Sequence, residues 1–409
     1  MNLIQKAFLF CRKEGVRRTV VRTLEKCRDM AVRLPGVMKE RLFLQQYRKK
    51  VLEKARGKHV YLMIPCIDWG IPLFQRPHQM AVALARLENT QVFFVSDEYR
   101  YDCFAGIMPV CDGLDVVSCR IAGRLAFEGA ERLTVIMSWP RQAHLLDEIA
   151  YDELVYEYID DLSLFYYYTQ EMRERHYQLI RDADLTVCTA RALYEDASQY
   201  TGRVLLSPNA GDYEFFHENR SCEMEPSLAA RIKGYDCVLG YYGCLASWFD
   251  YDLILQAAGR RPNWCFVFVG YSFDGTGSRL RQTGLKNIIL YPAQPYERLP
   301  RFTAGFDIQM IPFLINDITK STSPVKLFEY MASGKPILTS AMPECLRYQS
   351  VLVYRDLEDF LRKVPEALPL ARDPSYLELL DSEARENTWD ARVREILRAL
   401  REGAFDEQT

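Results

Sequence analysis

The chain has little histidine and no patterned cysteine. Five of its 409 residues are histidine, and its twelve cysteines include no C-x-x-C pair. Cys103, Cys111 and Cys119 recur at eight-residue steps, but no histidine cluster accompanies them. Free thiols in a reducing compartment are expected, not a zinc site. No run of about eighteen apolar residues exists, so no segment spans a bilayer. The opening MNLIQKAFLFCRKEG has too short an apolar run for a secretory signal, and no cleavage site comes after it. No G-x-G-x-x-G turn follows a candidate strand, which argues against a nicotinamide or flavin site. No divalent-metal motif is evident, so neither metal nor cofactor is expected.

What is present is ordinary in amount and uneven in placement. Hydrophobic residues at 49% and charged residues at 26% exclude disorder as the main state and exclude a multi-span membrane protein. The length exceeds one ordinary core and suits two α/β domains. The net charge of −3 hides an asymmetry. Residues 1–58 carry 17 Lys and Arg against 5 Asp and Glu, and the other 351 carry 35 against 50. A basic head on an acidic body points to an anionic partner. Val16, Val20, Leu24, Cys27, Ala31 and Leu34 recur at helical spacing, with Arg17, Arg18, Arg22, Lys26, Arg28 and Arg33 around them. That pattern predicts an interfacial helix on anionic lipid. Nucleic acid is not expected, because aromatic interleaving and a reading motif are missing. A helix packed on the protein's own body, with solvated arginines, is the alternative.

Short apolar runs alternate with helical patterns along the rest, which predicts parallel sheets. In the first half, strands are expected at His59–Pro65, Gln91–Ser96, Asp115–Cys119, Leu133–Trp139, Leu154–Ile159, Leu185–Thr189 and Val204–Ser207. In the second they are expected at Val238–Tyr242, Cys265–Val269, Ile288–Tyr291, Ile308–Ile311, Ile337–Thr339 and Val351–Tyr354. Glu214–Lys233 has weak periodicity and reads as a linker. The loop after the first strand carries Trp69, Arg76 and His78, at the sheet edge where open parallel sheets bind ligands. Arg76 and His78 are candidates for contact with an acceptor or a donor phosphate; helix-capping or inter-domain hydrogen bonds are the alternative. Gly243 and Gly270 close two later strands and permit close approach of backbone to ligand.

The chain is organised around Thr319–Ser340, TKSTSPVKLFEYMASGKPILTS. Ser323 is a natural N-cap with Pro324 at the first helical position, and Gly334 is placed to end the helix. Lys326 sits in the first turn, where the macrodipole disfavours a cation by about 0.3–1 kcal/mol. A lysine beside free backbone N–H groups makes a phosphate site. Glu329, three residues on, shares its face and suits a hydroxyl-rich group. Together they describe a nucleotide sugar.

This segment resembles the donor-binding segment of GT-B glycosyltransferases, especially glycosyltransferase family 4 and the bacterial exopolysaccharide and teichuronic-acid transferases. Pro208-Asn209-Ala210-Gly211-Asp212 resembles the P-N-G-x-D turn at which such enzymes leave their first domain, and the W…FQRPHQ loop resembles their first loop. The resemblance implies an α/β GT-B fold of two Rossmann-like domains with parallel sheets facing a central cleft. It divides the chain into a helical extension (1–58), an acceptor domain (59–213), a linker (214–236), a donor domain (237–385) and a terminal helix that crosses back (386–409). It places the diphosphate on Val325 and Lys326 and the ribose on Glu329, with Gly243, Lys320, Thr322 and Ser323 completing the donor set. The family 4 pattern has a second glutamate eight residues before the first; here that position is Ser321.

The activity so implied is transfer of a sugar from a nucleoside diphosphate, UDP by expectation, to a lipid-linked or cell-surface glycan. The expected location is cytoplasmic, at the inner membrane face, held there by residues 1–58. Asp160 and Asp161 end a strand and are the candidate base, with Asp161 the better placed to cap the next segment of chain. A nucleotide-sugar epimerase on the same fold and a non-catalytic scaffold stay open.

Overall fold

In the computed structural model of this chain, the structure describes residues 16–402 apart from 66, 72–73, 97–101, 103 and 166–167; the side chains of 16–34 and of Val37 also lie outside the description. Two units are described separately: residues 1–71 with 84–153, and residues 72–83 with 154–409. In the first, β1 (His59–Ile64), β2 (Thr90–Ser96), β3 (Ile107–Cys111), β4 (Leu114–Ser118) and β5 (Arg132–Met137) lie in the order β3-β4-β2-β1-β5. All pairings are parallel except β3 with β4. Every residue of β2 and β4 is buried, which is why β2 reads as an apolar run rather than an alternating one. Strand β3 was not expected. It holds Pro109 and is largely exposed, and an edge is where a sheet tolerates proline.

A 40-residue helix, Val16–Ala55, precedes this sheet, with Pro35 inside it and a non-helical Phe43 (φ −111°, ψ 15°) at a kink. Its later part packs on its own unit. Val51 and Ala55 are buried, and Lys54 Nζ lies 2.7 Å from Asp115 Oδ2. Glu40 accepts from Arg120 Nη2 at 2.9 Å and from the Gly106 N–H at 2.8 Å. For residues 40–55 the own-body alternative therefore holds. The lipid-facing pattern expected over Val16–Leu34 lies outside the described side chains, as do residues 1–15 entirely. No described helix is long and apolar enough to cross a membrane.

In the second unit, β6 (Glu153–Tyr158), β7 (Leu185–Cys188) and β8 (Val204–Leu206) pair in parallel. Six further strands come next: β9 (Cys237–Tyr242), β10 (Trp264–Val269), β11 (Ile288–Tyr291), β12 (Ile308–Ile311), β13 (Ile337–Ser340) and β14 (Val351–Tyr354). Their order is β11-β10-β9-β12-β13-β14, all parallel. The chain winds outward from β9 to β11, then returns to β12 and winds the other way. That reversal opens a crevice beyond the carboxyl ends of β9 and β12, where such sheets bind ligands.

The expected linker carries two short helices, Tyr213–Glu218 and Pro226–Ile232, which bury Phe216 and Leu228. Each is under two turns long, too short to show a period. The last helix, Trp389–Glu402, packs on β7. Its Arg392 donates to the Pro208 carbonyl at 2.9 Å, and its Glu395 accepts from Ser207 Oγ at 2.9 Å.

Gly211 lies in the turn after β8, hard against the helix that starts after Pro324. A Cβ there would sit 2.9 Å from the Phe328 carbonyl carbon and 3.0 Å from the Glu329 nitrogen. Gly211→Ala should cost about 1–3 kcal/mol of stability, as overpacking does. Urea unfolding should show a lowered midpoint at unchanged slope.

Candidate functional site

The helix Val325–Ser333 ends at Gly334, whose φ of +71° and N–H bond to the Met331 carbonyl match the expected left-handed stop. Its start differs from expectation. Ser323 is not the cap: Pro324, extended at φ −77° and ψ 113°, takes the cap position, and no side chain caps the helix. The proline shifts the helix start by one residue and turns Ser323 toward the segment after β8. There Ser323 Oγ accepts from the Asn209 N–H (3.1 Å), and its carbonyl accepts from Asn209 Nδ2 (2.7 Å). Among the described residues no side chain caps the first-turn N–H groups of Val325 and Lys326.

Lys326 adds charge to that helix end. Its half-buried ammonium lies 5.4 Å from the Tyr241 ring centre and 5.2 Å from that of Phe313. It makes no ion pair among the described residues, and burial pulls its pKa down. The ring faces attract the cation without neutralising it. Gly243, at φ +132°, gives it room, since a Cβ there would stand 3.0 Å from Lys326 Cε.

Glu329, expected on the same face as Lys326, is only 5% exposed. Its Oε2 accepts from the Tyr242 hydroxyl at 2.6 Å and its Oε1 from the Tyr296 hydroxyl at 2.9 Å. Burial raises its pKa, and the two tyrosine bonds oppose that rise. Tyr296 in turn stacks on Phe215 with ring centres 5.3 Å apart. Neither tyrosine was expected at the site, because a tyrosine ending an apolar strand or opening a loop reads as core or surface.

Lys320 ends a short helical turn capped by Asn316, and Ser321 and Thr322 follow it. Lys320 is exposed, 3.5 Å from Asp317. Ser321 Oγ donates to the Asp317 carbonyl (3.1 Å) and Thr322 Oγ1 to the Ile318 carbonyl (2.7 Å). Both hydroxyls spend their protons on their own turn. Lys320, Ser321 and Asp161 line one cavity of about 720 Å³, comparable to the ~300–1,000 Å³ of small-molecule sites.

Asp161 caps the short turn after β6, accepting from the Ser163 N–H at 3.0 Å and its hydroxyl at 2.6 Å. Asp160 is exposed. Its carboxyl is nevertheless pushed up to about 6, first by the protein mass that displaces water around it and second by the charge of Asp161. The adjacent charge is the only cause that two neighbouring aspartates disclose in the sequence, and it is the lesser one.

Arg76 and His78 are turned inward. Arg76, 3% exposed, pairs with Glu157 at 2.8 Å and donates to the carbonyls of Ser207 (3.2 Å) and Pro208 (3.1 Å). His78 is fully buried, accepts from the Gln75 N–H at 3.1 Å and stacks on Phe74. The hydrogen-bonding alternative describes the contacts of both. In the other unit, Trp69 is half-buried, edge-on to Phe94, and its backbone N–H donates to Asp102. Among the described residues no three His, Cys, Asp or Glu side chains gather as a metal site.

No family model matches the chain. It is 26% identical over 410 residues to TuaH of Bacillus subtilis, which is named, by inference, a teichuronic acid biosynthesis glycosyltransferase; the match covers 94% of this chain and 97% of that one. In three dimensions it resembles sucrose-phosphate synthase of Thermosynechococcus elongatus (TM-score 0.60, 13% identity, 84% of this chain and 98% of that one). It also resembles Anabaena HepE in complex with UDP and glucose (TM-score 0.59, 12% identity, 85% and 100%). The chain has the GT-B fold. The likeness to GT-B and teichuronic-acid-type glycosyltransferases first seen in residues 319–340 thus extends over nearly the whole sequence.

Removing the Glu329 carboxylate should leave the buried Tyr242 hydroxyl and the part-buried Tyr296 hydroxyl without this acceptor. Glu329→Ala should lose about 1–3 kcal/mol for each hydroxyl left unsatisfied, while Glu329→Gln, which keeps a carbonyl oxygen, should lose less. Chemical denaturation of the two variants side by side checks this.

Proposed function

We propose that this chain is a glycosyltransferase that takes its sugar from a UDP-sugar. The observation that carries the reading is a helix start that no described side chain caps, beside a half-buried Lys326 without an ion pair among the described residues, at the strand-order switch of β9 and β12. An anion is what both features lack. The diphosphate bridges the backbone N–H groups of Val325 and Lys326 and the Lys326 ammonium, and the backbone at Gly243 lets it come close. Lys320, Thr322 and Ser323 line its approach, the latter two through backbone. Glu329, its carboxylate aimed by Tyr242 and Tyr296, takes the ribose hydroxyls. The HepE complex with UDP and the name of TuaH support the donor class and the activity.

In the transfer step the acceptor hydroxyl gives its proton to Asp160 as its oxygen bonds the anomeric carbon. The bond from that carbon to the diphosphate breaks, and its electron pair leaves with UDP. Lys326 and the helix start stabilise the charge that develops there. Asp161 holds the loop and raises the basicity of its neighbour. The acceptor is a lipid-linked or cell-surface glycan. Within the extension 1–58, the basic stretch that precedes Glu40 brings the enzyme to the cytoplasmic membrane face; 59–213 form the acceptor domain, 214–236 the linker and 237–385 the donor domain, with 386–409 returning to the first.

Isothermal titration with UDP tests the donor site. Lys326→Ala should weaken binding by about 1.5–3 kcal/mol, the worth of a charge-assisted contact. Unchanged affinity would refute the assignment. Asp160 must be ionised to accept a proton, so transfer should rise with pH through about 6 and level off above it. Asp160→Asn should lower transfer by about 10²-fold or more and abolish that limb, with UDP affinity intact. Near-normal transfer by this variant would place the base elsewhere. For the basic head, co-sedimentation with liposomes should require anionic lipid and decline with salt; equal binding to neutral vesicles would contradict it.

A further inference from the structure

The cavity shared by Asp161, Lys320 and Ser321 has a second wall that the donor reading does not use. Helix Gln170–Asp182 contributes Arg173 and Tyr177, β6 contributes Tyr158, and helix Arg191–Ala197 contributes Asp196. Three features of this wall are built rather than incidental. Tyr158 is buried at 5% exposure, donates its hydroxyl to Asp196 Oδ2 at 3.2 Å, and is held edge-on by the buried His176 ring at 4.4 Å. Tyr177 is braced by Tyr200, with ring centres 4.5 Å apart. The Arg173 guanidinium lies 5.9 Å from the Tyr177 ring centre and makes no hydrogen bond or ion pair among the described residues. An aromatic face orients it while its donors stay unspent.

We propose that this cavity binds the acceptor, and that the ring it takes is a neutral, hydroxyl-rich sugar rather than an anionic one. The inference rests on the glycosyltransferase reading and adds the acceptor's chemical class to it. Carboxylate acceptors, an unspent guanidinium and flat aromatic walls together satisfy a molecule that both donates and accepts many hydrogen bonds on an apolar ring. Charge decides between the two classes. Among the described residues, Asp161, Asp196 and Asp317 line the cavity against Arg173 and Lys320, so the charge of this lining is negative and opposes a uronate or phosphate. The same cavity reaches Asp161, next to Asp160, and the Lys320–Ser321 turn before the donor helix. A sugar seated there touches the neighbour of the proposed base and the turn that leads into the donor helix.

The test uses the full chain with UDP present and four probes: the 4-nitrophenyl β-glycosides of glucose, galactose, N-acetylglucosamine and glucuronic acid. Saturation-transfer NMR should detect at least one neutral glycoside and discriminate against the glucuronide. Arg173→Ala removes an exposed side chain, so folding is not at stake. It should weaken the neutral glycoside about tenfold or more, as loss of a charged hydrogen-bond donor does, and leave UDP affinity unchanged. Binding of no neutral glycoside, equal or tighter binding of the glucuronide, or an unaltered Arg173→Ala would each overturn the inference. UDP titration of the same samples separates this from the underlying reading. A wild type that fails to bind UDP overturns the glycosyltransferase proposal, whereas intact UDP binding with a failed glycoside arm overturns the acceptor site alone.

Discussion

A half-buried lysine with no carboxylate among the described residues to neutralise it is the constraint on which the site depends. Lys326 keeps its place because the helix Val325–Ser333 carries it and the rings of Tyr241 and Phe313 flank it. The nearest acid on the same helix face, Glu329, is drawn off by Tyr242 and Tyr296. Were Glu329 to swing onto Lys326, the pair would neutralise itself and the helix start would lose its pull on an anion. The two tyrosine bonds thus keep the cation and the carboxylate as separate groups. One is suited to a diphosphate and the other to hydroxyls.

The same logic explains the turn between β8 and the linker helices. Pro208 has its carbonyl held by both Arg76 and Arg392, and Asn209 holds Ser323 immediately before the donor helix. Arg76, a candidate ligand contact in the sequence, and Arg392 both donate to this turn. Their burial is tolerable because their charges meet Glu157 and Glu395 and their N–H groups meet carbonyls. The helix start is therefore positioned by backbone and side-chain bonds from a segment more than a hundred residues earlier.

Much of this was legible. The strands of the second sheet were visible because parallel strands buried on both faces leave apolar runs, most clearly in Cys265–Val269. The donor helix was visible because Gly334 and the odd first-turn lysine are local signals. The features that escaped were non-local or too short. β3 is an exposed edge with a proline, and the linker helices span under two turns. The role of Ser323 depends on Asn209, far away in sequence. The partners of Glu329 come from a strand end and a loop that no spacing rule connects to it. Whether an arginine faces a ligand or a carbonyl is decided by tertiary packing, and residue type alone does not carry it.

The position of the diphosphate is the central question, and crystals grown with UDP measure it directly. The prediction is phosphate oxygens within hydrogen-bond distance of the Val325 and Lys326 backbone N–H groups and of Lys326 Nζ, with the ribose hydroxyls on Glu329. Diphosphate bound away from this helix start, with Lys326 still lying against the Tyr241 and Phe313 rings and touching no phosphate, would contradict it.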